Sequence, residues 1–245
     1  PDTLAACLTP NTVLVSIMWV NNELGSINAI AKIAQLTAAH GALLHVDGAQ
    51  ALGKVAIDVK RIPIDLLSLS AHKIYGPPGI GALYVRRKPR IRLAAQIHGG
   101  GQEQGFRSGT IASHQIVGMG TACAVMNETC VSEHADITQL RTYFLAQLHA
   151  LPHTVHSDLS CSVPHIINLR FHHIDAPTLL KHMPHFAIAR GASCQRQDYS
   201  HVLQAIGLSR SAAAAALRIS FGRFTTTAAI DELVQNLKGT LKSLI

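Results

Sequence analysis

One local pattern repeats along the first half of the sequence and limits what the chain can fold into. A short apolar run ends in polar side chains capable of chemistry. Val13–Met18 leads to Asn21 and Asn22, Ala42–Val46 to Asp47 and Gln50, and Ile64–Leu69 to Ser70, His72 and Lys73. Apolar runs of this length, bounded by turn-forming residues, read as buried strands. Ile27–His40 carries apolar residues at Ile30, Ile33, Ala34 and Leu36 and stops at Gly41, as a helix does. Gly81–Val85 supplies a fourth strand. Strands alternating with helices build a parallel or mixed sheet with helices packed on it, and such sheets gather ligands beyond the carboxyl ends of their strands. The expectation is an α/β domain with its chemistry at those three strand ends.

The second half reads differently. Ile111–Cys130 and Asp136–Leu151 are expected as two helices, with the polar stretch Asn127–Asp136 as the domain boundary. Beyond it come a strand at Ile166–Phe171, a helix at Ala176–His182, and a strand at Phe186–Ala189. A helix at Tyr199–Ile206 and a strand at Leu217–Phe221 follow, then a final helix with Ile230, Leu233, Val234, Leu237 and Leu241 on one face. The expected division is a large domain over residues 1–130 and a small α+β domain over 131–245.

Composition excludes several classes. The 245 residues are 48% hydrophobic and 14% charged, enough apolar material to offset chain entropy. No apolar run approaches the ~18 residues of a membrane span, so no membrane partner is expected. The 21 Lys and Arg against 14 Asp and Glu leave a net charge of +7. The basic residues are scattered, apart from Arg86–Arg87–Lys88, and no stacking motif accompanies them. The charge therefore points to an anionic cofactor or substrate, or an acidic protein, and not to nucleic acid. The five cysteines Cys7, Cys123, Cys130, Cys161 and Cys194 are odd in number and form no Cys-x-x-Cys, which suits reduced thiols in the cytoplasm. The chain opens on Pro1, close to a strand and without a signal or transit peptide, and the start of a longer protein is expected to be missing.

Four places carry candidate chemistry. Ser70-Ala-His-Lys73, before the Gly/Pro loop Tyr75-Gly-Pro-Pro-Gly79, is either an ordinary turn or the seat of a lysine that condenses with an aldehyde cofactor. Asp47, at a strand end 26 residues before Lys73, is either a turn residue or a carboxylate for a pyridinium nitrogen. Cys194 sits among Arg190, Ser193, Gln195, Arg196 and Asp198, a polar and partly cationic setting that favours an exposed thiolate over a buried thiol. His98-Gly-Gly-Gly101 with Arg107-Ser-Gly-Thr110 is either a flexible interface loop or a phosphate cradle. Of 15 histidines, several crowd residues 165–185, yet none pairs with a carboxylate at ligand spacing, and no metal site is expected.

Seven motifs occur in one order: Val20-Asn-Asn-Glu-Leu-Gly25, His45-Val-Asp-Gly-Ala-Gln50, Ser70-Ala-His-Lys-Ile-Tyr-Gly-Pro77, His98-Gly-Gly-Gly101, Arg107-Ser-Gly-Thr110, Gly191-Ala-Ser-Cys194 and Leu217-Arg-Ile-Ser-Phe-Gly222. In this the chain resembles the cysteine desulfurases, in particular the branch that feeds iron–sulfur cluster assembly. These are pyridoxal-phosphate (PLP) enzymes of fold type I within the class V aminotransferase group. The resemblance implies a mostly parallel sheet with helices on both faces and a smaller C-terminal domain. It implies that Lys73 binds the cofactor aldehyde, Asp47 the pyridinium nitrogen and Gln50 the phenolic oxygen. Ser70 and His72 hold the phosphate, and Thr110 reaches the phosphate in the other subunit of a homodimer. Asn22 lies near the phenolic oxygen and the substrate carboxylate, Arg218 clamps that carboxylate, and Cys194 attacks the sulfur of L-cysteine. L-alanine and a Cys194 persulfide result, and the sulfur passes to an acceptor such as an iron–sulfur scaffold protein. The alternatives are a related PLP lyase such as selenocysteine lyase, or a fragment that acts only in partner binding.

The chain departs from the family pattern at Gln102 and Gln104, where a histidine and an arginine are usual, and at Trp19, where a histidine is frequent. The segment after Cys194 is about two residues shorter. The family also places a phosphate turn and a ring-stacking histidine ahead of the position of Pro1.

Overall fold

In the computed structural model, residues 1–190 and 200–244 are described. By packing, the chain forms two compact units, Pro1–Trp19 with Asn28–Thr129, and Val20–Ile27 with Cys130–Ile245.

The first unit opens with a short helix, α1 (Asp2–Cys7), then β1 (Leu14–Met18), α2 (Ile30–His40), β2 (Leu43–Asp47), β3 (Leu66–Ser70) and β4 (Gly81–Val85). The sheet order is β1-β2-β3-β4; the first three strands are parallel and β4 runs antiparallel to β3. The sheet is mixed and mostly parallel, as the spacing of the apolar runs implied. Gly41 ends α2 in the left-handed conformation, at φ 81°, where a side chain would be strained. The helix buries Ile30, Ile33 and Ala34, and the strands bury Val15, Leu44, Val46 and Leu67.

Register in this sheet is fixed from the end opposite the polar residues. Asp65, buried just ahead of β3, takes the backbone N–H of Leu44 in β2 at 2.7 Å. Its other oxygen meets Arg86, which follows β4, at 3.3 Å. Arg86 also donates through Nε to the Ile64 carbonyl at 3.1 Å. One carboxylate thus ties three neighbouring strands together. With Leu44 held beside Asp65, Asp47 falls opposite Ser68, and Met18 of β1 falls opposite Asp47.

The two helices expected over residues 111–151 are one. α3 runs unbroken from Ser113 to Gln147. The polar stretch Asn127–Asp136 holds helix-compatible Glu, Ser and Ala, and no Gly or Pro stands between Thr121 and Ala150. Polarity there marks a solvated face and not a break.

The second unit is α+β. Its elements are β5 (His153–Val155), β6 (Ile166–Phe171), α4 (Ala176–Lys181), α5 (His201–Ala205), α6 (Arg210–Ala214), β7 (Ala216–Ser220) and α7 (Thr227–Leu244). The antiparallel sheet has β6 at its centre, between β5 and β7. One face presents Ile167, Leu169, Phe171, Leu217, Ile219 and Phe221 to a core that also takes Ile137 and Phe144 of α3, Leu148 just beyond it, and the apolar stripe of α7. Tyr143 binds Asp231 at 2.6 Å and Arg223 binds Glu133 at 2.7 Å, so hydrogen bonds reinforce that packing. The other face holds the alternate residues, Asn168, Arg170 and Arg218. The strand expected at Phe186–Ala189 is reduced to a single bridge, with Ala189 and Arg218 exchanging N–H···O bonds of 3.2 and 2.7 Å. Pro184 and the turns around it leave the segment in line with β7 at one residue only.

The Val20–Ile27 hairpin belongs to this unit. Asn21 Oδ1 accepts from the N–H groups of Glu23 and Leu24 at 2.9 and 2.8 Å, which closes the turn. Gly25 has φ +74°, and a Cβ there would stand 3.1 Å from the Ile166 carbonyl, so only glycine lets the turn lie on β6. Leu24 packs with Leu203, Ala213 and Ala216.

Replacing Asp65 with Asn is expected to lower stability by about 3 kcal/mol, because Arg86 is left as a largely buried, unpaired cation. Urea unfolding measures it, and the double variant Asp65→Asn/Arg86→Met should recover much of the loss.

Candidate active site

The first unit gathers five of the sequence-derived candidates. Asp47 ends β2 and its Oδ1 accepts from the Ala49 N–H at 2.9 Å. The chain then turns over the end of β3, with the Gly48 N–H bonded to the Ser68 carbonyl at 2.8 Å. A Cβ on Gly48 would stand 2.7 Å from a Leu67 methyl, so the turn that fixes Asp47 requires a bare backbone. Gln50 lies in the same turn. Its Oε1 accepts from Lys54 Nζ at 2.8 Å, and its amide nitrogen is the donating end.

On β3, Ser70 lies two residues beyond Ser68, the partner of Asp47 in register, and on the same face. Ser70 Oγ and His72 Nδ1 are 2.9 Å apart. Lys73 stands in the 3-10 turn Ala71–Ile74 immediately after, and is exposed. That turn is braced from outside. Gly118 of α3 lies so close to Pro77 that an added Cβ would meet the ring at 2.9 Å, and Gly76 approaches Ala122 in the same way at 3.2 Å.

One rung behind Asp47, on its own face, sequence reading missed a polar row. His45 spans three strands, Nδ1 to Ser16 Oγ at 2.7 Å and Nε2 to Ser68 Oγ at 2.8 Å. The signal was available: residues 16, 45 and 68 share the parity of Met18, Asp47 and Ser70 on their strands.

Thr110 is exposed, at the end of the glycine-rich segment and just ahead of α3. The segment is held by Ser108 Oγ on the His98 carbonyl at 2.8 Å and by the Gly109 N–H on Gln102 Oε1 at 3.1 Å. Gln102, where the family usually has another residue, here shapes the loop that carries Thr110.

The second unit gathers the two carboxylate candidates. Arg218 of β7 donates through Nη1 to the Asn22 carbonyl at 3.0 Å. Its Nε is buried and has no hydrogen-bond partner among the described residues. In register, Asn168 of β6 stands opposite Arg218 and is fully buried. Asn168 Oδ1 lies 2.7 Å from His156 Nδ1. Burial pushes the His156 imidazole below its usual pKa; the bond to Asn168 opposes this, and the Arg170 charge adds to it. Glu23 is wholly buried, with Oε2 accepting from Ser200 Oγ at 2.7 Å. Asn168, His156 and Glu23 escaped sequence reading because each looks like a lone polar residue in an apolar or loop context. Cys194, the expected nucleophile, lies outside the described residues. His172 and His173 follow the end of β6 in a turn, with rings 6.2 Å apart and His173 at φ 64°.

The set in the first unit has the chemistry that PLP requires: an amine for the aldehyde, a carboxylate for a ring N–H, an amide donor for a phenolic oxygen, and a hydroxyl–imidazole pair for phosphate. Comparison with known proteins agrees. The profile of the class-V aminotransferase family matches residues 1–233, and the chain belongs to that family. The family is PLP-dependent, and the fold is that of the fold type I enzymes. The chain is 45% identical over 247 residues to the cysteine desulfurase IscS of Ectopseudomonas mendocina, which takes in all of this chain and 61% of the relative. It is 45% identical over 246 residues to the cysteine desulfurase IscS of Methylococcus capsulatus, 99% of this chain and 61% of the relative. Among solved structures a NifS-like protein superposes with a TM-score of 0.91 at 30% identity, over 99% of this chain and 65% of that one. The chain thus spans about three fifths of the length of the relatives it matches. Among the described residues no helix is long and apolar enough to cross a membrane.

The brace on the Lys73 turn separates two glycines of one helix. Gly118→Ala should lower stability by about 1 kcal/mol or more, since the new methyl meets the Pro77 ring. Gly120 has nothing within 4 Å, and Gly120→Ala should raise stability by up to ~1 kcal/mol through helix propensity alone. Thermal unfolding of the two variants should shift in opposite directions.

Proposed function

We propose that the chain is the part of a PLP-dependent cysteine desulfurase that holds the cofactor, the substrate carboxylate and the attacking thiol. The observation that carries this reading is the placing of Asp47 and Ser70 at neighbouring parallel strand ends, with Lys73 in the turn that follows. The 45% identity to cysteine desulfurases over the whole chain supports it.

PLP, when bound, supplies an aldehyde that condenses with amines and a ring that accepts the electrons of a broken Cα–H bond. Lys73 holds the aldehyde at rest and, once released by the substrate amine, takes the Cα proton at Nζ. Asp47 keeps the ring nitrogen protonated, as a fixed carboxylate beside it must. Gln50, with its oxygen engaged by Lys54, donates to the phenolic oxygen. Ser70 and His72 bind the phosphate, and Thr110 binds the phosphate in the other subunit of a homodimer. Asn22 and Arg218 orient the substrate through its carboxylate, which a guanidinium grips with two parallel bonds. The Cys194 thiolate attacks the sulfur of L-cysteine. An S–S bond forms and the C–S bond breaks; its electron pair stays on the substrate carbon, which is protonated to give L-alanine. The persulfide on Cys194 passes to an acceptor such as an iron–sulfur scaffold protein, in the cytoplasm.

The chain incubated with PLP and reduced with borohydride should carry the cofactor on Lys73, and Lys73→Ala should abolish the label. After L-cysteine, mass spectrometry should find one extra sulfur, on Cys194. Label on Lys54 or Lys181 would overturn the lysine assignment. Alanine release with no sulfur on Cys194 would make the chemistry that of a lyase.

A further inference from the structure

On the polar face of the second unit, His156, Asn168 and Arg218 form a single row across the sheet. Asn168 is the register partner of Arg218, and the His156 N–H bonds the Asn168 carbonyl at 2.8 Å on the opposite side. Residues directly opposite in an antiparallel pair share a face, with Cβ atoms about 5 Å apart. The one acceptor atom of the Asn168 carboxamide, Oδ1, is turned to His156 Nδ1 at 2.7 Å, on the side away from β7. Since Oδ1 only accepts, Nδ1 is the protonated nitrogen of that imidazole. What the carboxamide has left is Nδ2, a donor, which is buried and unpartnered among the described residues. The guanidinium opposite it is also all donor, with Nε buried and unpartnered in the same way. Two donors cannot satisfy each other. The strand neighbour of Arg218 therefore offers its charge no internal acceptor.

We propose that Asn168 is a positioning residue that, turned by His156, keeps Arg218 uncompensated so that the guanidinium is available to an external carboxylate. The inference rests on the reading of Arg218 as the substrate-carboxylate site and adds the device that holds it ready. An aspartate at 168 would place a carboxylate beside Arg218 and occupy it from within. Removal of the His156 donor would free Oδ1 to turn to the β7 side and do the same more weakly.

The test uses the 245-residue chain loaded with PLP and titrated with L-alanine or with ethylamine, which is alanine without its carboxylate, read by the cofactor absorption. The unsubstituted chain should bind L-alanine well in preference to ethylamine. Asn168→Asp should weaken L-alanine at least tenfold and leave ethylamine within about twofold. His156→Phe should weaken L-alanine about threefold, and His156→Gln, which keeps a donor, should restore it. Equal losses for both amines, or none, would overturn the proposal. If Asn168→Asp does not fold, the two variants of the half-buried His156 decide, and equal alanine affinity in them overturns it. An unsubstituted chain that does not prefer L-alanine refutes the carboxylate site itself, and this inference with it.

Discussion

The first unit is organised by one buried carboxylate. Asp65 receives a backbone N–H from β2 and a guanidinium from beyond β4, while its own backbone pairs with both strands. A parallel strand slipped by one residue would turn its whole side-chain set to the other face. By pinning Leu44, Asp65 decides that Asp47 and Ser70, and not their apolar neighbours, stand on one face at the opposite end of the sheet. The polar row Ser16–His45–Ser68 is a second fastening on that face, one rung nearer the site. The placing of Asp47 and Ser70 is thus inherited from contacts made by other residues.

The second unit poses a different problem, that of holding a half-buried cation with no carboxylate paired to it among the described residues. An unpaired charge in a protein interior is costly, and most such groups are matched with a carboxylate. Arg218 instead has a backbone carbonyl on one nitrogen and a carboxamide donor opposite its strand position. The core lies on the other face of the same sheet, where Leu217 and Ile219 anchor the strand on both sides of the arginine. Apolar packing thereby holds the backbone of β7 while Arg218 stands on the opposite face.

Much of this was legible in the sequence because period-two patterning and strand-end residues carry their own signal. Asp47, Ser70, His72 and Lys73 stand where the apolar runs said they would. The errors have common causes. The polar stretch at Asn127–Asp136 reads as a break, yet it holds no Gly, Pro or competing cap to end a helix, and α3 continues through it. Phe186–Ala189 has strand composition but a single pairing residue, since pairing depends on what lies alongside and not on propensity. Asn168 is invisible as a site residue until the register with β7 is known. Its meaning comes from Arg218, 50 positions away in the chain and adjacent in the sheet.

The Val20–Ile27 hairpin has a consequence for how the molecule is made. Its partners are distant: Ser157 bonds the Leu24 carbonyl across 133 positions, Ser200 bonds Glu23 across 177, and Arg218 bonds Asn22 across 196. During synthesis the hairpin leaves the ribosome well before the residues it packs against. Contacts of such long sequence separation form slowly. The nascent chain must therefore carry Glu23 and Leu24 without these partners until residues 157–218 have emerged, and the second unit cannot be excised as one continuous piece of polypeptide.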